Sequence, residues 1–328
     1  MKRYLCFAIV IVMLLSAMAG CGNAPAAEQT TEATTVPTQG VSAAAKEALD
    51  GKKVIFFGNS HTYYSRCVME KGRSEYFTTR LNDQGIFAQL CTANGLNVEV
   101  TNYTFGNHQL KDFYSGSCAA KRGHDGFDHM ADITDYDYDY LILQQGTSDD
   151  NNDLVGDVEK LIAPFKEANP DVKVVFLLHL RVFTNNYAWS AKVKELEQLG
   201  VTVVDWGGLL NDVLTGVKTV PGSTELYNQN SFIISQSDTD GYHPNMLTGY
   251  ITALMTYCAI TGEPAEGQPH LLEDGRLLTE FGIETYKGSY YTYDRDTNFD
   301  KVLLSDTEML AWQQLIDRHL EEKGYRNY

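Results

Sequence analysis

The sequence is poor in positive charge and lacks the usual signatures of metal and nucleic-acid sites. Its 328 residues include 26 lysines and arginines against 43 aspartates and glutamates, a formal charge of −17 at pH 7. An acidic surface of this kind repels phosphate, which argues against DNA or RNA as a partner. No CxxC motif and no cysteine–histidine cluster has the spacing of a zinc site. No internal repeat is found, and no basic amphipathic segment indicates a lipid surface.

Two acidic stretches come close to a calcium-binding loop without completing one. Residues 135–140 (DYDYDY) have no glycine in sixth position, and Gly146 occupies the twelfth. Residues 294–300 (DRDTNFD) have Phe299 in place of that glycine and Ser305 in place of the closing glutamate. An EF-hand loop needs the glycine for its turn and the glutamate as a bidentate ligand, so we expect solvated loops or strand edges here. No metal ion and no organic cofactor is expected.

The first residues have the order of an export signal. Lys2 and Arg3 precede the apolar run Leu5–Leu15, which is too short for a confident membrane span. The small residues that follow, ending at Cys21, resemble a bacterial lipobox; an ordinary signal peptide with a chance cysteine is the alternative. The resemblance implies cleavage after residue 20, lipid attachment to Cys21, and a membrane-anchored protein on the extracytoplasmic side. The charge after cleavage is 24 − 43 = −19.

The rest of the chain divides by composition. Residues 21–46 are small and polar and predict a flexible tether behind the lipidated cysteine. Residues 47–262 predict the main domain, and residues 263–328 an extension packed on it. Four cysteines remain in this exported part, where disulfides can persist. They allow three full pairings, among which the sequence does not choose: Cys67, Cys91, Cys118 and Cys258.

Short apolar runs alternate with helical stretches along the main domain. This alternation is typical of a parallel sheet covered by helices on both faces. The strand candidates are 53–57, 96–103, 140–145, 172–180 and 201–206, and the helix candidates are about 80–94, 153–168, 188–199, 245–260 and 305–322.

Polar residues follow several of the predicted strands. Gly58-Asn59-Ser60 follows the first, Phe105-Gly106-Asn107-His108 the second, and residues 144–149 (QQGTSD) the third. Asp240-Gly241-Tyr242-His243-Pro244 comes after the fifth. Because ligands bind at the carboxyl ends of strands in open parallel sheets, these residues are expected to converge at one edge. Together they supply what acyl transfer needs: a hydroxyl, a base, an orienting carboxylate and hydrogen-bond donors.

These blocks resemble those of the SGNH (GDSL-type) hydrolases over about residues 52–262. GNSHT (58–62) resembles the first block, Gly106 has the place of the second-block glycine, and residues 240–244 resemble the closing D-x-x-H-P block. QQGTSD is more similar to the third block of sialate and xylan acetylesterases, and the whole pattern resembles a bacterial branch rich in lipoproteins. The resemblance implies a flavodoxin-like α/β/α sandwich with a central parallel sheet of about five strands.

The resemblance also implies a role for individual residues. Ser60 is expected to be the nucleophile, His243 the general base, and Asp240 the carboxylate that orients it. The oxyanion hole is expected to consist of the N–H groups of Ser60 and Gly106 and the side-chain amide of Gln145.

Further residues are expected to line the pocket, and two of them mark departures from the family pattern. Asn59 replaces the usual aspartate, and Ser148 is a second candidate for the missing third-block asparagine. Taken alone, Ser60 also fits a helix N-cap. His61 is not expected to be its base, because adjacent helical residues do not face each other. The possible pocket residues are Asn59, His61, Asn107, Ser148 and Tyr242.

The sequence therefore predicts an exported serine esterase or deacetylase that removes small acyl groups, with an acylated carbohydrate as expected substrate. Two alternatives stay open. One is a non-catalytic protein that binds carbohydrate or envelope material on the same scaffold, and the other is a lipase or phospholipid esterase.

Overall fold

A computed structural model describes the greater part of the predicted domain. The described residues are 40–65, 67, 85–105, 108–115, 133, 135–145, 153–179, 190–223, 227–228, 231–233, 243–270 and 306–325. Several residues named above lie outside this set, and the predictions made for them stay predictions: Cys21, Gly106, Asn107, Cys118, Ser148, Asp240 and Tyr242.

Five parallel strands form one sheet in the order β2-β1-β3-β4-β5. The strands are β1 (Lys53–Gly58), β2 (Glu99–Thr104), β3 (Tyr140–Leu143), β4 (Lys173–Leu177) and β5 (Val201–Val204). Each lies within or overlaps a run predicted as a strand. The order and the parallel pairing confirm the predicted flavodoxin-like α/β class.

Nine helices are described around the sheet. They are α1 (Ala43–Leu49), α2 (Ser60–Tyr64), α3 (Ile86–Ala93), α4 (Leu110–Ser115), α5 (Leu154–Ala168), α6 (Val193–Gln198), α7 (Trp206–Leu214), α8 (Met246–Thr261) and α9 (Asp306–Glu322). A short 3₁₀ turn, Ser190–Lys192, precedes α6. Among the described residues, no helix is both long and apolar enough to cross a membrane.

The helices cover both faces of the sheet, because strand residues alternate between the two faces. On one face, strand residues such as Phe56 and Ile142 pack with α1, α3, α7, α8 and α9. On the other face, residues such as Phe57 and Leu143 pack with α4, α5 and α6. The sheet is therefore the middle layer of a three-layer sandwich, buried on both sides.

Helix α1 begins inside the segment that we predicted as a tether. Ser42 caps it by accepting a hydrogen bond from Ala45 N at 3.1 Å, and Leu49 is fully buried in the core. Alanine has the highest helix propensity, and one buried leucine anchors the helix, so few large apolar residues are needed. The folded part thus includes residues 42–46.

The C-terminal helix α9 packs on the same core as α8. Trp312 is fully buried and meets Phe232 edge-to-face at a centroid distance of 5.7 Å. Asp317 accepts hydrogen bonds from the backbone N–H groups of Ala265 and Glu266, at 2.6 and 2.9 Å. These contacts fix the chain just after α8 to the last helix.

Strand β5 is shorter than the apolar run VTVVDW suggested. Asp205 is the N-cap of α7, with its carboxylate accepting from Gly208 N at 2.8 Å, and Trp206 already belongs to the helix. The capping carboxylate ends the strand, because its side chain satisfies a helix N–H.

Three of the cysteines lie in the core on the α8 side of the sheet. Cys67 and Cys91 are fully buried thiols, and Cys258 on α8 is 2% exposed. Burial raises the pKa of Cys91 to about 12 and raises that of Cys67 as well. Protonated at neutral pH, these two thiols are poor nucleophiles.

Candidate active site

Ser60 opens helix α2 directly after β1, and it does not cap that helix. The cap is Asn59, whose side-chain oxygen accepts a hydrogen bond from His61 N at 3.0 Å, while its carbonyl accepts from Thr62 N at 2.9 Å. Ser60 is half-buried at the first helical position. Its side chain is therefore not needed for the capping role that it could have had from sequence alone.

Asn59 also explains why an amide replaces the usual carboxylate. Its Nδ2 donates to the carbonyl of His108 at 3.0 Å, and the residue is 2% exposed. An ionised aspartate has no hydrogen to donate, so it could make only the contact to His61. The amide joins the first block to the loop between β2 and α4.

Helix α2 is held close to its neighbours by two glycines. A Cβ on Gly58 would lie 2.4 Å from Thr62 Oγ1, and a Cβ on Gly249 would lie 1.6 Å from Ser65 O. Gly249 belongs to the first turns of α8, so α8 approaches the end of α2 at backbone contact. This close approach fixes the distance between the segment that bears Ser60 and the helix that follows His243.

The backbone after His243 is well anchored. Pro244 forms an isolated antiparallel bridge with Ile233. Asn245 caps α8 by accepting from Thr248 N at 3.1 Å, and its Nδ2 donates to Ser231 O at 2.9 Å. His243, 6% exposed, is thus held at the N-terminal end of α8.

His61 brings the two parts of the site together. Its ring centroid lies 5.3 Å from that of His243, although about 180 residues separate them in sequence. Because Ser60 is the residue before His61, this contact places His243 beside the predicted nucleophile's helix. A third histidine, His179, also lies near His61, and its ring centroid is 5.5 Å from that of His61.

Gln145, the predicted oxyanion donor, is fully buried at the end of β3. Its Oε1 accepts from Leu110 N, the first residue of α4, at 2.8 Å. This bond fixes which end of the amide is the acceptor, so the NH₂ group is turned away from α4. Gln144 lies next to it, and its backbone N–H donates to Phe57 O at 2.8 Å.

The second predicted oxyanion donor follows a strand end that is also fixed. Phe105 N donates to Gly58 O at 3.1 Å, which continues the pairing of β2 with β1 beyond the last strand residue. Gly106 comes next in the chain and lies outside the described residues. Phe105, the residue before the predicted donor Gly106, is therefore hydrogen-bonded to Gly58, which lies two residues before Ser60.

His179 is the site residue that the sequence reasoning missed. It was included in the apolar run 172–180, whereas β4 ends at Leu177. The available signal was a histidine at the end of an apolar strand, the same position that drew attention to Ser60 after β1. Trp206 is 1% exposed, and its ring centroid lies 6.3 Å from that of His179.

Solved structures of similar architecture include several hydrolases. An acetyl xylan esterase from Geobacillus stearothermophilus is 17% identical, and the match covers 63% of this chain and 93% of that one, with a TM-score of 0.42. A putative GDSL-like lipase from Parabacteroides merdae is 16% identical, and the match covers 65% of this chain and 97% of that one, with a TM-score of 0.41. An extracellular lipase from Streptomyces rimosus is 10% identical, and the match covers 64% of this chain and 99% of that one, with a TM-score of 0.40.

No protein-family model and no curated protein sequence matches the chain. One of the solved structures above is described as GDSL-like, the type that the sequence blocks resemble. Likeness at this level says nothing of activity, which depends on this chain's own residues.

Proposed function

We propose that this chain is an SGNH-type serine hydrolase of carboxylic esters, with Ser60 as nucleophile and His243 as general base. The observation that carries the proposal is the ring contact between His243 and His61. It brings the predicted base to the residue next to Ser60, at the carboxyl edge of the sheet. Asn59 takes the capping role, which favours a chemical role for the Ser60 hydroxyl.

The proposed reaction runs through an acyl-serine. His243 accepts the proton of Ser60 Oγ as the oxygen attacks the ester carbon, and the alcohol then leaves with that proton. Water then attacks the acyl-serine while His243 accepts its proton, and Ser60 leaves with that proton as the carboxylic acid is released. Asp240 would orient the imidazole, and the scheme needs no metal or organic cofactor.

Oxyanion stabilisation is assigned to three donors. They are the backbone N–H groups of Ser60 and Gly106 and the NH₂ group of Gln145. The bond from Leu110 N to Gln145 Oε1 supports this role, because it holds the amide in one orientation before substrate arrives. A donor that is already oriented costs no reorganisation during the reaction.

The proposed substrate class is a small acyl ester, above all an acetyl group on carbohydrate. Support comes from the similarity of QQGTSD to the third block of sialate and xylan acetylesterases. The export signal and the lipid attachment at Cys21 remain part of the proposal and place the domain on the outer side of the membrane. Incorporation of radiolabelled lipid into the full chain, and loss of that label in Cys21→Ser, tests the anchor.

A non-catalytic binding protein is the main competitor. Asn59 and the altered third block were the reasons to consider it, since a lost aspartate and a lost asparagine suggest lost activity. In the structure Asn59 makes two hydrogen bonds that an ionised aspartate could not both make. The substitution therefore has a structural explanation and is weak support for a loss of function.

Ester hydrolysis by residues 22–328 tests the proposal. We expect release of p-nitrophenol from its acetate ester, slower release from long-chain esters, and loss of activity in Ser60→Ala and His243→Ala. His270→Ala is a matched control, because it also removes one imidazole but from a residue that has no part in the proposed reaction. His270 pairs instead with Asp306 at 2.9 Å. If the unmodified chain is no faster than Ser60→Ala, the enzyme proposal fails, and faster hydrolysis of long chains would favour a lipase.

A further inference from the structure

Three buried imidazole rings lie in a row at the carboxyl edge of the sheet. The rings of His179 and His243 lie 5.5 and 5.3 Å from that of His61, and each is inclined by 36° to it. The exposed fractions of His61, His179 and His243 are 3%, 1% and 6%. Histidine has only an intermediate tendency to be buried, so three together indicate more than core filling.

His179 is the fixed end of the row. The N–H of Leu178 donates to the last carbonyl of β5, and the carbonyl of Leu178 accepts from Gly207 N, both at 2.9 Å. The indole of Trp206 lies next to the His179 ring, with the two ring centroids 6.3 Å apart. Backbone bonds and a buried indole therefore hold His179 against His61.

His61 is the middle of the row and is fixed at its backbone by Asn59. His243 is the other end, and the bridge at Pro244 and the cap at Asn245 hold its backbone. The backbones at both ends are thus fixed, and the direction of the His243 ring is set by its side-chain torsions and by the groups packed against it. The ring of His61, with its centroid 5.3 Å away, is one of these groups and limits rotation of the His243 ring, beside the orienting role proposed for Asp240.

We propose that His61 and His179 are positioning residues that orient the His243 ring toward Ser60, with His179 acting through His61. The inference rests on the proposed function, in which the ring of His243 removes the Ser60 proton. A ring that turns freely points at Ser60 for only part of the time, and misplacement on the ångström scale is costly for proton transfer. Positioning needs a flat ring and no ring nitrogen, so phenylalanine is expected to substitute for His179.

The test compares His179→Ala and His179→Phe in residues 22–328, with acetate ester as substrate. We expect kcat of His179→Ala to fall on the order of 10- to 100-fold, with KM changed by less than about twofold. His179→Phe should recover most of that loss, and His270→Ala should leave kcat unchanged. Thermal unfolding shows whether each variant is folded, and if His179→Ala does not fold, His179→Leu replaces it.

Two kinetic results would overturn the proposal: a folded His179→Ala with kcat close to that of the unmodified chain, or a His179→Phe no better than His179→Ala. A second measurement needs no activity. In ¹H–¹³C spectra of ring-labelled histidine, the His243 signal should shift in His179→Ala, and an unchanged signal would contradict positioning. If the unmodified chain hydrolyses no ester, the proposed function fails, and the His243 signal alone decides whether the row orients that ring.

Discussion

Replacement of Asn59 by aspartate changes one atom in the site and tests how the first block is held. The side chain is 2% exposed, donates to His108 O at 3.0 Å and accepts from His61 N at 3.0 Å. Asn59→Asp keeps the acceptor and loses the donor, which leaves a buried carbonyl facing a carboxylate. An unsatisfied buried group costs about 1–3 kcal/mol, and a charged neighbour adds to it, so we expect a loss of about 3 kcal/mol in unfolding free energy at pH 7.

The loss should depend on pH in a defined direction. The protonated form of the introduced carboxyl can donate to His108 O, so folding raises the pKa of that group above its unfolded value. Its stabilising contribution is present at low pH and lost as the pH rises through the folded pKa. The difference between Asn59→Asp and the unmodified chain should therefore shrink from pH 7 to pH 5.

Urea unfolding of both chains at the two pH values measures this difference. Asn59→Ala is the control, because it removes both hydrogen bonds without adding a titrating group, and its cost should be the same at both values. Equal stability of Asn59→Asp and the unmodified chain at pH 7 would refute the account of Asn59 as an obligatory donor.

Two further predictions concern the close packing around the site and the C-terminal helix. If helix propensity alone decided, Gly249→Ala should stabilise the protein by about 1 kcal/mol, but the new Cβ would lie 1.6 Å from Ser65 O. We therefore expect the free energy of unfolding, measured in urea, to fall by several kcal/mol. A gain in stability would contradict the close approach of α8 to α2. The pKa of His319 is lowered to about 4, first by burial and then by the nearby Lys218 ammonium. Between about pH 6.5 and pH 4, the unfolded state therefore binds a proton that the folded state does not. The free energy of unfolding should fall on the order of 3 kcal/mol as the pH drops through that window. His319→Gln, which can still bond Lys218 and the carbonyl of Asp205, should flatten this dependence relative to the unmodified chain, and parallel pH curves for the two proteins would contradict it.

The class of fold could be predicted from the sequence because its signals are local. Each strand is a short apolar run, and α5 and α8 have long periodic faces, so the alternation of elements is readable without tertiary information. The misses have physical causes as well. Helix α1 depends on one buried leucine in an alanine-rich stretch, and the end of β5 depends on a carboxylate that caps α7.

The candidate site was only partly readable for a different reason. Ser60, His243 and Gln145 stand in short blocks, and the blocks come at strand ends where a parallel sheet gathers ligands. His179 stands in no block, and its role arises from a ring contact with a residue more than a hundred positions away. Likewise, the sequence shows Asn59 only as a departure from the family pattern, because its hydrogen bond to His108 O is visible only in the structure.

Covalent labelling of Ser60 tests the central claim most directly. The unmodified chain, as residues 22–328, is treated with a fluorophosphonate and digested with trypsin, which cuts after Lys53 and Arg66. We predict one adduct on the resulting peptide, with fragment ions that place it on Ser60 and leave Ser65 in the same peptide unmodified. Ser60→Ala should take up no label, and His243→Ala should take it up far more slowly. Equal labelling of the unmodified chain and Ser60→Ala, or an adduct located on another residue, would contradict the assignment of Ser60 as the nucleophile.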